Sequence, residues 1–134
     1  MSLFVRDVMN RGVITCNLDT PIEEVANRMC RARATAIVVV DSIGEIAGII
    51  SRTDLARAFV AGATGRRAED IMTANVITIV PNIPVRAAIQ LMLDRHIHQL
   101  VIMHARPALG RPVGLLSMDD IVRLMAEPGR CEKV

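Results

Sequence analysis

Two eight-residue stretches of the chain share one pattern: GIISRTDL at 48–55 and GLLSMDDI at 114–121. Each places an aspartate three positions after a serine, Asp54 after Ser51 and Asp120 after Ser117. A serine and the first N–H groups of a helix can bind an anion. An aspartate one turn into that helix can accept hydrogen bonds from both hydroxyls of a ribose. The pattern is therefore suited to a sugar phosphate.

The residues before the serine fit the same interpretation. Gly48 would let a ligand approach the backbone without a side chain in the way, and the aliphatic residues after it can pack on an apolar ring. The spacing also has a purely structural interpretation, in which Ser51 caps a helix and Asp54 favours its dipole from the third position. The residues alone leave both interpretations open.

The motif recurs because the chain is an internal repeat. RDVMNRGVIT at 6–15 corresponds to EDIMTANVIT at 69–78, a shift of 63 positions. The shift is 66 between Gly48 and Gly114, so the second copy has three extra residues, which we place in its longer turn HARPALGRP. Two copies are too few for a solenoid and indicate an internally two-fold module.

The residue pattern of each copy predicts the order strand, helix, strand, strand, helix. VITC and VITIV are short β-branched runs, and AIVVVD and QLVIMH are apolar runs of strand length. Residues 20–23 (TPIE) predict a capping box with proline at the first helical position. The second helices are predicted over 53–60 and 119–125.

We therefore expect a mixed α/β (α+β) fold of two β-α-β-β-α repeats. The predicted boundaries are 5–62 for the first repeat, 63–67 for a linker, 68–127 for the second repeat and 128–134 for a C-terminal tail. One repeat of this size is marginal alone. We expect the two sheets to pack face to face with pseudo-two-fold symmetry, which would bring both motifs to a central cleft.

The composition excludes several classes of function. The net charge is only +2, tryptophan and tyrosine are absent, and phenylalanine occurs twice, which argues against nucleic-acid binding. No apolar run approaches the roughly 18 residues of a membrane helix, and no signal peptide is recognisable. Three cysteines without a CxxC pair suit a reducing compartment. We therefore expect a cytoplasmic protein, and because 51% of the residues are hydrophobic we expect a homodimer that buries the surplus apolar surface.

Other chemistry finds no support in the sequence. His98 and His104 would lie about 20 Å apart on an extended strand, too far for a shared metal ion. No Walker loop, HExxH motif or nucleophile elbow occurs. Cys16 and Cys30 are expected to be small core residues. We predict neither a metal site nor catalysis.

With these motifs in this order, the chain resembles a tandem pair of cystathionine-β-synthase (CBS) domains, also called a Bateman module. The resemblance covers roughly residues 5–127. It rests on DVM…VIT and DIM…VIT at the start of the copies and on the two serine–aspartate motifs at their ends. The resemblance implies a regulatory module that binds an adenosine-containing ligand, such as AMP, ADP, ATP or S-adenosylmethionine, in the cleft between the repeats.

The resemblance also implies the residues of two sites. The first site would place Asp54 on the ribose, Ser51 near the phosphate and Ile49 against the base, and would be completed by five further residues: Arg52, Val76, Ile77, Ile97 and His98. The pseudo-symmetric second site would consist of Leu115, Ser117, Asp120, Val13, Ile14, Ala34 and Thr35.

The two sites are not equivalent in charge. Arg52 stands beside Asp54, and His98 falls where the resemblance places a basic residue at the phosphate. In the second site Asp119 adds a carboxylate and Thr35 replaces the histidine. Repulsion between that carboxylate and a phosphate amounts to about 1 kcal/mol or more. We therefore expect the Asp54 site to bind phosphorylated ligands better.

These features lead to one interpretation and one alternative. The chain is interpreted as a non-catalytic regulatory module without a required cofactor, which binds an adenine nucleotide and signals to an effector protein whose identity the sequence does not give. AMP is favoured among the nucleotides because only one or two basic groups would face the phosphate. The alternative is a homodimerisation scaffold that binds no ligand.

Overall fold

The computed structural model describes residues 3–104 and 111–126 of the chain. Along these residues the strands are β1 (Asn10–Arg11), β2 (Thr15–Asn17), β3 (Ala36–Val40), β4 (Ile46–Ser51), β5 (Thr78–Ile79), β6 (Gln99–Met103) and β7 (Pro112–Ser117). The helices are α1 (Val5–Val8), α2 (Ile22–Ala32), α3 (Arg52–Ala61), α4 (Ala68–Ile71), α5 (Val85–Arg95) and α6 (Met118–Met125). The mixed α+β class and the strand-helix-strand-strand-helix order of both repeats are confirmed. The sequence did not predict the short opening helices α1 and α4.

The chain divides into two compact units. The central unit is Val13–Val76, and its sheet has the order β2-β3-β4. Strand β2 pairs with β3 in parallel and β3 with β4 in antiparallel fashion. Its core consists of Cys16, Val25, Met29, Ile37, Val39, Ile50 and Ala68. The apolar face of α2 and alternate residues of β3 thus form one hydrophobic cluster.

The split unit combines Met1–Gly12 with Ile77–Val134. Its sheet has the order β1-β7-β6-β5, in which β5 is parallel to β6 and the other pairs are antiparallel. Its core consists of Val5, Met9, Ala88, Met92, Leu100, Ile102 and Leu116. Each unit therefore has its own core, and face-to-face packing of the two sheets stays a prediction.

Helix α1 belongs to the split unit, whereas most of the first repeat, which it opens in the sequence, belongs to the central unit. The Val5 N–H donates to the Ile83 carbonyl at 2.8 Å, and the Val85 N–H donates to the Leu3 carbonyl at 2.9 Å. Val5 is fully buried. The segment before and within α1 is therefore fixed by the turn that begins α5.

The central unit contains the corresponding contacts of α4. The Ala68 N–H donates to the Thr20 carbonyl at 2.8 Å, and the Ile22 N–H donates to the Arg66 carbonyl at 3.1 Å. These four residues stand 63 positions from their counterparts in the split unit. The two repeats thus exchange their opening helices: α1, from the first repeat, belongs to the split unit, and α4, from the second repeat, belongs to the central unit. A structural unit and a sequence repeat are therefore different segments of the chain.

The start of α2 differs from the prediction. Pro21 precedes the first helical residue, and the Thr20 hydroxyl accepts a hydrogen bond from the Asn17 N–H at 2.9 Å instead of capping the helix. The predicted capping box at 20–23 is therefore wrong, because the hydroxyl is used by the preceding turn. Helices α2 and α5 both end at left-handed residues, Arg33 (φ 52°) and His96 (φ 54°), which again stand 63 positions apart.

Some predicted segments fall on residues that the structure does not describe. The longer turn of the second repeat lies at 105–110, and the C-terminal tail and Cys131 lie within 127–134, outside the described residues. In the described part of the chain, no helix has the length and apolarity needed to cross a membrane.

The exchange of opening helices predicts which fragments fold. A fragment of residues 13–76 contains the whole central unit, whereas a fragment of equal length, residues 1–64, has α1 without its partners and lacks α4. We expect a cooperative thermal transition, followed by circular dichroism, for 13–76 and a weaker or absent one for 1–64. Equal stability of the two fragments, each marginal in size, would contradict the exchange.

Candidate ligand-binding site

The first serine–aspartate motif forms the junction between β4 and α3. Ser51 is the N-cap of α3, and Asp54 is the third helical residue. The Ser51 N–H and hydroxyl both donate to Asp54 Oδ2, at 2.8 and 3.0 Å, and the Asp54 N–H donates to Ser51 Oγ at 3.3 Å. Asp54 is only 9% exposed. The capping interpretation is therefore confirmed, and it uses one of the two carboxylate oxygens.

The second motif repeats this arrangement between β7 and α6. The Ser117 N–H and hydroxyl donate to Asp120 Oδ2 at 2.8 and 3.2 Å. The other oxygen, Oδ1, accepts a hydrogen bond from Asn10 Nδ2 at 2.6 Å and another from the guanidinium of Arg123. Asp120 is 4% exposed. Both carboxylate oxygens are occupied within the split unit itself.

The two aspartates differ in what remains for a ligand. A carboxylate offers about four lone-pair positions, and four donors fill them at Asp120. Asp54 Oδ1 accepts no hydrogen bond from the described residues and has an ion pair with Arg57 Nη1 at 3.6 Å. The Arg57 side chain is 77% exposed, against 26% for Arg123. Asp54 Oδ1 is therefore less enclosed by protein donors than Asp120 Oδ1.

The structure brings some of the predicted residues together within each unit. In the β3–β4 ladder Ala36 pairs with Ser51, so Ser51 of the first motif lies opposite the start of the strand that follows Thr35 in the chain. His98 stands beside the second motif, where its carbonyl accepts a hydrogen bond from the Met118 N–H at 3.0 Å. Its side chain is exposed, as is that of Arg52.

Both predicted sites draw on residues of both units. The first set lies in the central unit except for Ile77, Ile97 and His98; the second lies in the split unit except for Val13, Ile14, Ala34 and Thr35. The non-motif residues are half-buried apart from the exposed His98. Whether each set forms one site stays a prediction.

The glycines of the motifs have a different role from the one expected. A Cβ atom on Gly48 would lie 2.6 Å from Met72 Sδ and 2.9 Å from the Thr73 carbonyl oxygen. A Cβ on Gly114 would lie 2.6 Å from the Asn10 carbonyl oxygen. The space beside Gly48 is thus filled by the segment that follows α4, so the expectation that this glycine admits a ligand is wrong. Each glycine is needed for close backbone packing.

The remaining reactive side chains do not add to the site. Burial raises the pKa of the Cys16 thiol, an effect that the nearby positive charge of Arg28 opposes. Cys16 is a core residue, as predicted, whereas the prediction for Cys30 is wrong because its side chain is exposed on α2. Within the described ranges, no three His, Cys, Asp or Glu side chains are grouped so that they could hold a metal ion.

Comparison with known proteins identifies the family. The model of the CBS domain matches the chain twice, over residues 5–61 and 68–127. The chain belongs to the CBS domain family. The two matches make it a CBS domain pair, which is a regulatory module.

Relatives with this pair are found in archaea and bacteria. The chain is 31% identical over 126 residues to the uncharacterized protein MK0525 of Methanopyrus kandleri, and the match covers 92% of the chain and 63% of that protein. It is 34% identical over 125 residues to arabinose 5-phosphate isomerase KdsD of Pseudomonas aeruginosa, covering 90% of the chain and 37% of the isomerase. The chain thus spans less than two thirds of the length of these curated relatives.

A solved structure of a CBS domain pair has a similar fold. It is the CBS domain pair of protein MJ0100, which has 28% sequence identity to this chain and a TM-score of 0.83. The similarity covers 92% of this chain and 96% of that one. That protein was crystallised with 5′-methylthioadenosine and S-adenosyl-L-methionine, so an adenosine-containing ligand binds to a pair with this fold.

The packing of the glycines predicts two unequal losses of stability. Because a Cβ on Gly114 meets a backbone oxygen, we expect Gly114→Ala to lower the free energy of unfolding by about 1–3 kcal/mol. Gly48→Ala should cost less, since its closest contact is the flexible side chain of Met72 and its backbone contact, with the Thr73 carbonyl oxygen, is longer at 2.9 Å. Chemical denaturation measures both values. Unchanged stability of both variants, with ligand binding lost, would instead favour the original interpretation of the glycines.

Proposed function

We propose that this CBS domain pair is a non-catalytic regulatory module that binds an adenosine-containing ligand at Asp54. The observation that supports this most is the state of Asp54 Oδ1, which has no hydrogen-bond donor among the described residues while Oδ2 is fixed by Ser51. A carboxylate oxygen that accepts no hydrogen bond from the described residues can accept hydrogen bonds from the hydroxyls of a ribose. The carboxylate is already oriented by its cap, so binding requires little ordering of the side chain.

The groups around Asp54 are suited to the rest of a nucleotide. Ile49, two residues before the end of β4, is a half-buried apolar residue that can pack on a base. Arg52, whose side chain is exposed, is the first residue of the ten-residue helix α3. The positive dipole end of that helix favours a phosphate. We further propose that Val76, Ile77, Ile97 and His98 complete the site, which requires the two repeats to face a common cleft.

The ligand class is supported by the similar pair of protein MJ0100, which was crystallised with two adenosine derivatives. AMP, ADP, ATP and S-adenosylmethionine remain the candidates, and we favour AMP because Arg52 and His98 provide only one or two basic groups. Binding would act on an effector protein by favouring one arrangement of repeats or subunits. A ligand can shift such an equilibrium only by its different affinity for the two states.

A ligand-free homodimerisation scaffold is the second candidate. It is favoured by large apolar side chains at the C-terminal ends of α3 and α6: Phe59, Val60 and Met125 are 84%, 87% and 82% exposed. Apolar groups exposed to this degree are typical of interfaces when they form a patch. Dimerisation is compatible with ligand binding, so the two candidates differ in the ligand alone.

A thermal-shift series with AMP, ADP, ATP, S-adenosylmethionine and NADH distinguishes the two candidates. A ligand that binds only the folded chain adds about 2.7 kcal/mol at one hundred times its Kd, which raises the Tm of a domain this size by on the order of 10 °C. We expect a rise that grows with concentration for at least one adenosine ligand. No rise with any of them would favour the scaffold.

The role of Asp54 is tested by comparing Asp54→Ala with Asp120→Ala. Both variants remove the carboxylate that bonds the N-cap serine, and Asp120→Ala also removes the hydrogen-bond partner of Asn10 and Arg123. The two variants therefore lose unequal amounts of stability, so the ligand-induced rise in Tm is compared rather than the Tm itself. We expect Asp54→Ala to abolish the rise with AMP and Asp120→Ala to retain it. Loss of the rise in Asp120→Ala alone would contradict the assignment.

A further inference from the structure

Asn10 is fixed beside the second motif by its backbone. It opens β1 and pairs with Leu115 of β7 in antiparallel register. Its carbonyl oxygen lies so near Gly114 that no Cβ would fit between them. The antiparallel pairing and the close approach place Asn10 directly against β7, within reach of the start of α6.

The side chain of Asn10 closes the Asp120 carboxylate. Its amide donates to Asp120 Oδ1 at 2.6 Å, and the same oxygen is paired with Arg123, whose side chain is 26% exposed. The Asp120 side chain is 3% exposed. Hydroxyl groups of a ligand would have to displace both donors, and the Asn10 amide would then lose a strong, charge-assisted hydrogen bond.

The central unit has the same backbone arrangement without this side chain. Thr73 stands 63 positions after Asn10, and its N–H and carbonyl bond the carbonyl and N–H of Ile49 at 2.9 and 3.0 Å. Its side chain is exposed and makes no hydrogen bond to Asp54. Arg57, the counterpart of Arg123, is correspondingly far more exposed.

We propose that Asn10 determines how many ligand molecules the chain binds: its amide keeps Asp120 closed, so that only the Asp54 position accepts an adenosine ligand. This inference rests on the proposed function, because it divides the two pseudo-symmetric positions of that function into one open and one closed position. Asn10 acts through Asp120 and needs no contact with the ligand. It is a specificity-determining residue outside both serine–aspartate motifs.

Isothermal titration calorimetry of the full chain with AMP, and separately with S-adenosylmethionine, tests the proposal. We expect one ligand per wild-type chain and two per Asn10→Thr chain, in which the split unit acquires the residue that the central unit has at the corresponding position, Thr73. The added site should survive Asp54→Ala in the double variant. The reciprocal substitution Thr73→Asn should weaken binding to the Asp54 position at least tenfold, and it keeps the test available if Asn10→Thr does not fold.

The outcomes separate this proposal from the function on which it rests. Two ligands per wild-type chain, or one ligand in both the wild type and Asn10→Thr with unchanged affinity in Thr73→Asn, would overturn the role of Asn10 and leave ligand binding intact. Binding of neither ligand by any of the chains would overturn the proposed function and the inference together.

Discussion

The arrangement of both repeats depends on a buried carboxylate that caps the helix in which it lies. Asp54 and Asp120 each accept two hydrogen bonds on one oxygen, from the N–H and the hydroxyl of the serine three positions earlier. These bonds fix the point at which the strand ends and the helix begins. They also leave the second oxygen in a defined position, and the environment of that oxygen distinguishes the two repeats.

Structure and binding therefore do not compete for the same atoms. The cap uses Oδ2, whereas a ligand would use Oδ1, so the structural and functional interpretations of the motif are compatible. The surroundings of Oδ1 are set by residues outside the motif, such as Asn10 and Arg123 in the split unit and Thr73 and Arg57 in the central unit. A repeated motif can thus occur twice in one chain with unequal binding capacity.

Local patterns predicted the elements well, because β-branched runs and helical periodicity depend on near neighbours. The strands of AIVVVD and QLVIMH and the helices after Ser51 and Ser117 lie where they were expected. The sequence did not reveal the exchange of α1 and α4, because it depends on backbone hydrogen bonds between residues far apart in the chain. The capping box predicted at Thr20 failed for a similar reason. The Thr20 hydroxyl accepts a hydrogen bond within the preceding turn, and its carbonyl accepts one from the distant Ala68.

The residue types of the candidate site were predictable from the sequence, but the hydrogen-bond partners of the two aspartates outside the motifs were not. Serine at the N-cap and aspartate at the third helical position follow from spacing alone. The closure of Asp120 by Asn10 spans 110 positions, and no periodicity indicates it. The sequence shows asparagine at position 10 where the corresponding position 73 has threonine, but this is one of five differences between the two ten-residue opening motifs.

A crystal structure of the chain grown with AMP tests the central claim most directly. We expect the ribose hydroxyls within hydrogen-bond distance of Asp54 Oδ1, with the Ser51 cap intact and the amide of Asn10 still on Asp120. A nucleotide whose ribose contacts Asp120 in place of Asn10, or one bound away from both aspartates, would contradict it.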